Sequence, residues 1–391
     1  MSSWWTSTTG KATPASWGSG NLPKSPRRPR SRTLCSMRSG FTSHRCPSRP
    51  RKCSKLSRAR RRSEMKAFKM ARPRTLEAAL SVAASGNPAE TRILAGGTDL
   101  IGEIKEGIQA PDLLINLKTV PDLSGIRVTS RGLEIGALTK LVDLKEHPSI
   151  AADYPALVTT VGKTATPQIR NNGTVGGNIC QRPRCWYYRN KDYHCLKKGG
   201  DLCYAREGEN EFHAIFDNAT CNIIHPSNLA PVFIAYGAQV EVMDKEGKQT
   251  LPLEDFFVSP EEDISVENML EPGQVLTAII LPKGSANPIS AYVEAREKQS
   301  YDWAVCGATA AFRMDGKKVR EARIVLSAVA PTPVRREDLE EMMAGRRVTD
   351  DLIDAVCKTA VEDATPLRDN AYKLILIQAV LRRAIRQALG R

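Results

Sequence analysis

Five of the ten cysteines in this 391-residue chain lie in one window and are its clearest candidates for chemistry: Cys180, Cys185, Cys195, Cys203 and Cys221. The last four are separated by ten, eight and eighteen residues. Structural zinc sites usually contain closely spaced cysteine pairs, which these four do not form. Irregular spacing suits an iron–sulfur cluster held by a loop, in which each thiolate binds a different iron. We therefore predict an iron–sulfur site at the last four cysteines, with zinc or four buried free thiols as alternatives. Cys180 lies too close to a glycine-rich run to be assigned as a ligand.

Basic and aromatic residues surround these cysteines. The cations are Arg182, Arg184, Arg189, Lys191, Lys197 and Lys198, and the aromatic residues are Trp186, Tyr187 and Tyr188. Four thiolates on a cluster form a net anionic centre. We therefore expect the cations to offset its charge and raise its reduction potential, and the rings to shield it from water.

Two glycine-rich runs precede the cysteines. The first is Ile93-Leu94-Ala95-Gly96-Gly97-Thr98-Asp99-Leu100, and the second is Thr174-Val175-Gly176-Gly177-Asn178. Residues 91–95 are predicted as a buried strand and residues 98–104 as a helix. The first backbone N–H groups of such a helix have no partner within it, and the glycines before it let an anion approach them closely. One such run also occurs in ordinary tight turns, and neither run matches the Rossmann or P-loop pattern. Two runs together predict a pocket for the phosphates of a dinucleotide.

The remaining pattern supplies the elements that position these residues. Further helices are predicted over residues 75–85, 158–165 and 229–236. Further strands are predicted over residues 113–117, 239–243, 275–281 and 322–329. A hairpin is predicted over residues 126–135, with Gly132 in its turn. Two strands are expected in 288–314 and helices in 336–389, where one face carries Leu374, Ile377, Leu381, Ala384 and Ile385. Cys306 and Cys357 are expected in the core. This order predicts an α+β protein with two halves and an appended domain.

The net charge of +14 belongs to the N-terminal segment. Residues 1–64 contain sixteen lysines and arginines and one acidic residue, so residues 65–391 carry a net charge of about −1. The segment is rich in Ser, Pro and Arg, is expected to be disordered, and lacks the apolar stretch of a secretory signal. We interpret it as sequence upstream of the native start at Met65, with a nucleic-acid-binding arm or a targeting peptide as alternatives.

Other classes of chemistry find little support in the sequence. No window has the apolar length of a membrane span. Many cysteines in a long chain without a secretory signal favour metal ligation in a reducing compartment. The five histidines are scattered, and no nucleophile or paired acid–base motif is found. The chain is therefore expected to transfer electrons rather than make bonds in a substrate.

Three motifs, taken in order, resemble a known family. They are Ala95-Gly96-Gly97-Thr98-Asp99-Leu100, the segment Gln168-Ile169-Arg170-Asn171 leading to Gly173-Thr174-Val175-Gly176-Gly177-Asn178, and Ala330-Pro331-Thr332-Pro333-Val334-Arg335. Over roughly residues 65–391 the chain resembles the FAD-binding medium subunits of molybdenum hydroxylases, which include carbon monoxide dehydrogenases, xanthine dehydrogenases and aldehyde oxidoreductases. The cysteine insert resembles that of a narrower branch, 4-hydroxybenzoyl-CoA reductase and periplasmic-type aldehyde oxidoreductases, in which it binds a [4Fe-4S] cluster.

The resemblance implies a fold, domain boundaries and cofactor contacts. It implies a FAD-binding domain of the vanillyl-alcohol-oxidase (PCMH) type at residues 65–285 and a C-terminal domain at 286–391 like that of carbon monoxide dehydrogenase flavoproteins. The FAD-binding domain would consist of subdomains 65–120 and 121–285, and the second subdomain would contain the iron–sulfur insert at 180–222. By position, Ile93 to Leu100 would wrap the FAD pyrophosphate, Leu276 would pack near the isoalloxazine, and the second subdomain would contribute Gly173, Thr174, Gly177, Asn178, Ser227 and Asn228.

Two residues depart from the family pattern. Asn228 stands where the family usually has Asp after the Ser of the closing motif, and Glu294 replaces the Lys of a Tyr-x-Lys motif. The amide can still form hydrogen bonds but lacks the charge, and the second change removes a cation that would favour an anionic reduced flavin. Lys298, four residues further on, is the candidate substitute and is included among the cofactor-binding residues.

The expected function is that of a FAD- and iron–sulfur-containing electron-transfer subunit of a three-subunit molybdenum hydroxylase. Its partners would be a molybdopterin-containing large subunit and a small subunit with [2Fe-2S] clusters, and electrons would leave to NAD, a quinone or ferredoxin. Reverse flow, as in a CoA-ester reductase, is the alternative. Two other classes of function are considered. One is a zinc-binding module whose basic arm binds nucleic acid. The other is a free-standing FAD oxidase, but the sequence contains no candidate for its catalytic base. We expect a cytoplasmic location, or a periplasmic one through a partner's signal, and no nucleic-acid partner.

Overall fold

The computed structural model of the protein describes residues 65–285 and 288–391. The basic segment 1–64, with its predicted disorder and its interpretation as upstream sequence, lies outside the described residues. The described residues form three sheets with helices packed against them. This is the α+β organisation expected from the sequence.

The first sheet is small and parallel, with strand order β1-β3-β2. Its strands and connecting helices are β1 (Lys69–Ala71), α1 (Leu76–Ser85), β2 (Thr91–Leu94), α2 (Leu100–Lys105) and β3 (Leu113–Asn116). The side chain of Thr75 accepts a hydrogen bond from the Ala78 N–H and so fixes the start of α1, as predicted. Since β2 ends at Leu94, this sheet positions Gly96 and Gly97 of the first glycine-rich run just beyond the carboxyl end of a strand.

The second sheet is antiparallel, with strand order β4-β5-β8-β6-β7. Its strands are β4 (Ile126–Val128), β5 (Gly132–Gly136), β6 (Gln239–Met243), β7 (Lys248–Pro252) and β8 (Val275–Pro282). The hairpin predicted over 126–135 is present, but Gly132 begins β5 instead of lying in the turn. A Cβ on Gly132 would lie 2.0 Å from the Leu281 carbonyl oxygen, so close pairing with β8 explains the glycine.

Six helices of the described residues lie between β5 and β6 in the sequence, and all but α6 contribute to a core shared with the second sheet. They are α3 (Leu141–Glu146), α4 (Pro148–Asp153), α5 (Pro155–Lys163), α6 (Pro167–Arg170), α7 (Val175–Ile179) and α8 (Leu229–Ala235). Every residue of α8 is buried, and this helix lies in a core to which the second and third sheets both contribute. The helices α3, α4, α6 and α7 and the strand β7 were not predicted.

The third sheet is antiparallel, with strand order β12-β11-β10-β9, and is covered by three helices. The elements are β9 (Ile289–Ala295), β10 (Cys306–Asp315), β11 (Lys318–Ser327), β12 (Val334–Arg335), α9 (Glu337–Met343), α10 (Asp350–Thr359) and α11 (Tyr372–Ala388). The predicted apolar face of α11 is buried, with Leu374 partly so. Cys306 and Cys357 are fully buried in this core, as predicted.

Between α7 and α8 the chain contains almost no regular structure. Its one helical element is a short 3-10 turn, Leu196–Lys198. This stretch carries the cysteine window, so side-chain contacts, rather than a backbone ladder, must hold the cysteines in place. Within the part of the chain that the structure describes, no helix has the length and apolar character needed to cross a membrane.

Candidate cofactor cavity and cysteine insert

A cavity of about 460 Å³ lies between the two glycine-rich runs. The expected cofactor-binding residues that line it are Ile93, Ala95, Gly96, Gly97, Thr98, Asp99, Leu100, Gly173, Thr174, Gly177, Asn178, Asn228 and Leu276. Residues far apart in sequence, including strand residues of the first and second sheets and the loop after β9, therefore meet at one concave surface.

Leu94, Ser227 and Lys298 do not line the cavity. Leu94 is 6% exposed and points into the core, because neighbouring residues of a strand face opposite sides. Ser227 is buried behind the wall, where its hydroxyl donates to Asn178 Oδ1 at 2.6 Å. Lys298 is exposed, and its backbone N–H donates to Asp302 Oδ2 at 3.2 Å. Ser227 therefore supports the wall indirectly, and nothing in these contacts directs Lys298 to the cavity.

The first glycine-rich run is shaped for an anion. A Cβ built on Gly96 would lie 2.5 Å from the Asn172 carbonyl oxygen, and Gly97 has a left-handed φ of 74°. Among the described residues, none accepts a hydrogen bond from the backbone N–H of Gly96, Gly97 or Thr98. Free N–H groups on a cavity wall fit the pyrophosphate of a dinucleotide such as FAD.

The second run differs from the first because its N–H groups are already bonded. Those of Gly176 and Gly177 donate to Ala137 O at 2.8 Å and to Thr174 Oγ1 at 3.1 Å. A Cβ on Gly176 would lie 2.9 Å from the Ala137 Cβ. The second run is thus a closely packed wall and contributes no second set of free N–H groups.

Several cavity residues were not anticipated from the sequence. They include Arg92, Gln109, Thr164, Ala165, Thr166, Cys180, Gln181, Arg182, Arg184, Tyr301 and Trp303. The Arg184 guanidinium lies 4.6 Å from the centre of the Trp303 ring, so the cysteine insert and the loop after β9 meet at the cavity. No local signal marks these residues, because all except Arg92, which is in β2, belong to irregular segments placed by tertiary contacts.

The four predicted cluster ligands are brought together by the fold. One small cavity is lined by Cys185, Cys195, Cys203 and Cys221. His213 Nε2 lies 3.2 Å from Cys185 Sγ, and Asn222 Nδ2 donates to Cys203 Sγ at 3.2 Å. Hydrogen bonds from the Cys221 thiol and from Asn222 lower the pKa of Cys203 to about 5, whereas burial raises the pKa of Cys185 to about 12. Cys203 is thus the thiol best prepared to act as a thiolate.

These cysteines do not form a site for a single ion. Within residues 65–285 and 288–391, no group of three or more His, Cys, Asp or Glu side chains is arranged to hold a metal ion. A single ion needs all its ligands at bonding distance from one point, whereas a cluster gives each thiolate its own iron. Cys180 lies apart from the group and lines the cofactor cavity, where burial raises its pKa to about 12.

The cations of the insert bind carboxylates on the cavity side. Asp99 pairs with Arg184 at 2.5 Å and with Arg189 at 2.8 Å. Buried Glu103 accepts a hydrogen bond from the Tyr188 hydroxyl at 2.9 Å and lies 3.5 Å from Arg189, and burial raises its pKa. The first glycine-rich run and α2 therefore fasten the insert to the cofactor cavity.

A third carboxylate completes this arrangement. Glu267 pairs with Arg182 at 2.8 Å and with Lys197 at 2.7 Å. The Lys198 ammonium donates instead to the carbonyls of Tyr187 and Asn190. The sequence predicts that these cations offset the charge of a cluster. The contacts show that four of the six also form ion pairs, two with Asp99 and two with Glu267, and so tie the insert down.

The C-terminal part of the chain holds the insert from the other side. Ile215 and Phe216 are buried in the core of the third sheet. The fully buried Lys373 donates to the carbonyls of Phe212 and His213 at 3.0 and 2.9 Å. The insert is therefore clamped between the cofactor cavity and the last domain.

Comparison with known families decides the class of the chain. The family model for the FAD binding domain in molybdopterin dehydrogenase matches residues 66–284, and that for the CO dehydrogenase flavoprotein C-terminal domain matches residues 290–388. The chain belongs to the FAD-binding subunits of molybdenum hydroxylases. It is accordingly an oxidoreductase subunit of a multi-subunit enzyme, and the expected fold is confirmed.

Relatives of this molybdenum hydroxylase subunit extend over most of its length. It is 33% identical to the aldehyde oxidoreductase FAD-binding subunit PaoB of Escherichia coli K12 over 329 residues, which is 83% of this chain and 99% of the relative. It is 28% identical to the carbon monoxide dehydrogenase medium chain of Hydrogenophaga pseudoflava over 77% of this chain and 90% of that one. The solved structure of reconstituted CO dehydrogenase from Oligotropha carboxidovorans matches with a TM-score of 0.66 and 26% identity, covering 83% of this chain and 98% of that one.

Asn228 and Glu294, the two residues that the sequence singled out as departures from the family pattern, are in direct contact. Asn228 Nδ2 donates to Glu294 Oε2 at 3.1 Å. The Tyr292 hydroxyl donates to the same oxygen at 2.8 Å, and Arg296 pairs with Glu294 Oε1. The side chains of Glu294 and Arg296 are only 3% and 7% exposed. A buried ion pair therefore lies directly behind Asn228 on the cavity wall.

Proposed function

We propose that this chain is the FAD- and iron–sulfur-containing electron-transfer subunit of its molybdenum hydroxylase, in the branch with a [4Fe-4S] insert. The observation that carries the proposal is the convergence of Cys185, Cys195, Cys203 and Cys221 on one small cavity. In this proposal each of the four cysteines binds a different iron of the cluster. FAD supplies the exchange of one or two electrons that this role requires.

Ion pairs that join the insert to the cofactor cavity support electron transfer between the two sites. Asp99 lines the cavity and binds Arg184 and Arg189, the residues on either side of the Cys185 segment. Because these pairs are mostly buried, they hold the insert against the cavity more firmly than exposed ion pairs would. A fixed separation suits electron transfer between two centres in one subunit.

The partners and the direction of flow belong to the same proposal. A molybdopterin-containing large subunit carries the substrate site, and a small subunit carries [2Fe-2S] clusters. Electrons from the substrate pass through this subunit to an external acceptor, which is NAD, a quinone or ferredoxin. The name of the PaoB relative, an aldehyde oxidoreductase, supports the oxidative direction. Inward flow from ferredoxin, as in a CoA-ester reductase, is the second candidate.

The proposed domains and sites follow the three sheets. The subdomains 65–120 and 121–285 carry the first and second sheets, the insert occupies 180–222, and the third sheet lies in 286–391. We assign FAD to the expected residues that line the cavity, with Ser227 supporting Asn178 from behind. The described cysteines are all free thiols, which supports a reducing compartment such as the cytoplasm.

The decisive experiment is metal and flavin analysis of the anaerobically purified chain. We expect about one FAD and about four irons per chain, and little zinc. Cys203→Ser should abolish the iron-dependent absorption while FAD remains bound. Cys180→Ser is the matched control from the same cysteine window and should retain its iron. Zinc without flavin, or full iron content in Cys203→Ser, would overturn the proposal and return a zinc module to consideration.

The role of the insert in electron transfer needs a separate measurement. We expect Cys203→Ser to slow turnover of the assembled enzyme with at least one acceptor. Acceptors to compare are NAD, a soluble quinone and ferredoxin. Unchanged turnover with all of them, in a variant that has lost the cluster, would show that the cluster is only structural.

A further inference from the structure

Asn228 lines the cavity, but its amino-acid type alone does not define whether it offers a hydrogen-bond donor or an acceptor there. An asparagine side chain can present either its carbonyl oxygen or its NH₂ group to a ligand. The two groups are distinguished by their hydrogen-bond partners rather than by shape. Which one faces the cavity therefore depends on the group behind Asn228.

That group is the carboxylate of Glu294, which can only accept hydrogen bonds when ionised. Its Oε2 lies 3.1 Å from the Asn228 amide and 2.8 Å from the Tyr292 hydroxyl. Both partners must therefore donate, and the Asn228 NH₂ must point toward Glu294. The carbonyl oxygen Oδ1 is then directed to the opposite side.

Glu294 is one member of an ion pair. Arg296 pairs with the other carboxylate oxygen and also donates to the Lys163 carbonyl at 2.7 Å. A Cβ on Gly307, the cross-strand neighbour of Glu294, would lie 3.1 Å from the Tyr292 hydroxyl, so the glycine leaves room for that donor. These contacts fix the carboxylate with very little freedom.

The carbonyl oxygen of Asn228 is also free of the helix that follows it. An asparagine at a helix N-cap often accepts from the first free N–H groups of the helix. Here the Ser227 hydroxyl accepts from the Ala230 N–H at 3.0 Å, and Asn228 makes no capping bond. No described residue donates to Asn228 Oδ1, and this atom is not buried away from the cavity that Asn228 lines.

We propose that Glu294 is a positioning residue that orients the Asn228 amide, so that Oδ1 is presented to the cavity as a hydrogen-bond acceptor for an N–H group of the bound flavin. The isoalloxazine ring offers such a donor at N3 in every redox state and at N5 when it is reduced. The C-terminal domain thus determines the polarity of one contact in the FAD site. Glu294 acts from behind the cavity wall, because it is not one of the residues that line the cavity.

The test is a charge exchange between the two residues, read out as FAD affinity of the full-length chain by flavin fluorescence. In Glu294→Lys the introduced ammonium can only donate a hydrogen bond, so the Asn228 side chain turns its carbonyl oxygen toward the lysine. The Asn228 NH₂ group then faces the flavin N–H, and two donors cannot form a hydrogen bond with each other. We expect affinity to fall roughly ten-fold or more. The double variant Asn228→Asp/Glu294→Lys restores an acceptor, because an aspartate can bind the lysine with one oxygen and the flavin with the other. We expect its affinity to return to within about three-fold of the wild type.

Controls separate positioning from loss of fold. Glu341→Lys makes the same charge change at an exposed residue of the same domain and should leave FAD affinity unchanged. Thermal unfolding of each variant monitors stability. If Glu294→Lys does not fold, Asn228→Ala removes the acceptor while leaving the ion pair, and it should also weaken binding roughly ten-fold. Wild-type affinity in Glu294→Lys or in Asn228→Ala, or a double variant no better than Glu294→Lys, would overturn the proposal.

Discussion

Replacing Gly96 by alanine tests whether the two glycine-rich runs meet as described. A Cβ at this position would lie 2.5 Å from the Asn172 carbonyl oxygen and 3.1 Å from the Gly173 Cα, and distances under 3.0 Å are essentially never seen for real Cβ atoms. The neighbouring atoms belong to the backbone, so the runs must separate to accept the methyl group. Overpacking of this kind costs about 1–3 kcal/mol.

The expected consequences can be measured separately. For a folded unit of this size, the cost corresponds to a fall in Tm of roughly 2–6 °C. Separation of the runs also displaces the free N–H groups of Gly96 and Gly97, so FAD affinity should fall by roughly ten-fold or more. Differential scanning fluorimetry gives Tm, and flavin fluorescence gives affinity.

A matched control lies six residues away. Gly102 is inside α2, and a Cβ there would meet no heavy atom within 4 Å. Gly102→Ala should raise stability by about 0.5–1 kcal/mol, because alanine favours a helix interior, and should leave FAD affinity unchanged. If Gly96→Ala lowers neither Tm nor FAD affinity, the two glycine-rich runs do not approach each other as closely as described.

Three further predictions concern how the insert is held. Asp99→Asn removes the charge that pairs with Arg184, and we expect a lower Tm and less iron per purified chain, measured by iron analysis. Gly208→Ala would place a Cβ 2.3 Å from the Tyr187 hydroxyl, so it should destabilise the protein by about 1–3 kcal/mol in thermal unfolding. Burial lowers the pKa of Lys373 to about 8, so the folded protein releases this proton before the unfolded chain does. The stability of the wild type relative to Lys373→Met should therefore rise by up to about 3 kcal/mol between pH 8 and pH 10.5, measured by thermal unfolding across that range.

The regular elements that the sequence predicted well are those with a long apolar pattern. The strand predicted over 239–243 is β6, and the helical region 336–389 contains α9 to α11. The six-residue helices α3 and α4 are too short to show a period. Lys248–Pro252 is mostly exposed, so it has no apolar alternation that would predict a strand. It forms one because it pairs with β6.

The candidate site was predictable where one residue type satisfies a local requirement. Gly96 and Gly97 could be found because close approach and a left-handed backbone both call for glycine. Leu94 was included as part of a continuous run, although strand alternation already directs it away from Ile93 and Ala95. The hydrogen bond from the Arg182 N–H to Asp99 at 2.8 Å joins residues 83 apart, and only the folded chain brings them together.

Asn228 and Glu294 show most clearly what position-by-position comparison leaves out. Taken one at a time, the first looks like a lost charge and the second like a lost cation. In the folded chain they form one contact, in which the amide donates to the carboxylate and Arg296 supplies the buried cation. The changes therefore compensate each other: an aspartate facing Glu294 would repel it, and a lysine facing Asn228 would reverse the amide. Variants that change only one of the two residues should accordingly lose more FAD affinity than the double exchange.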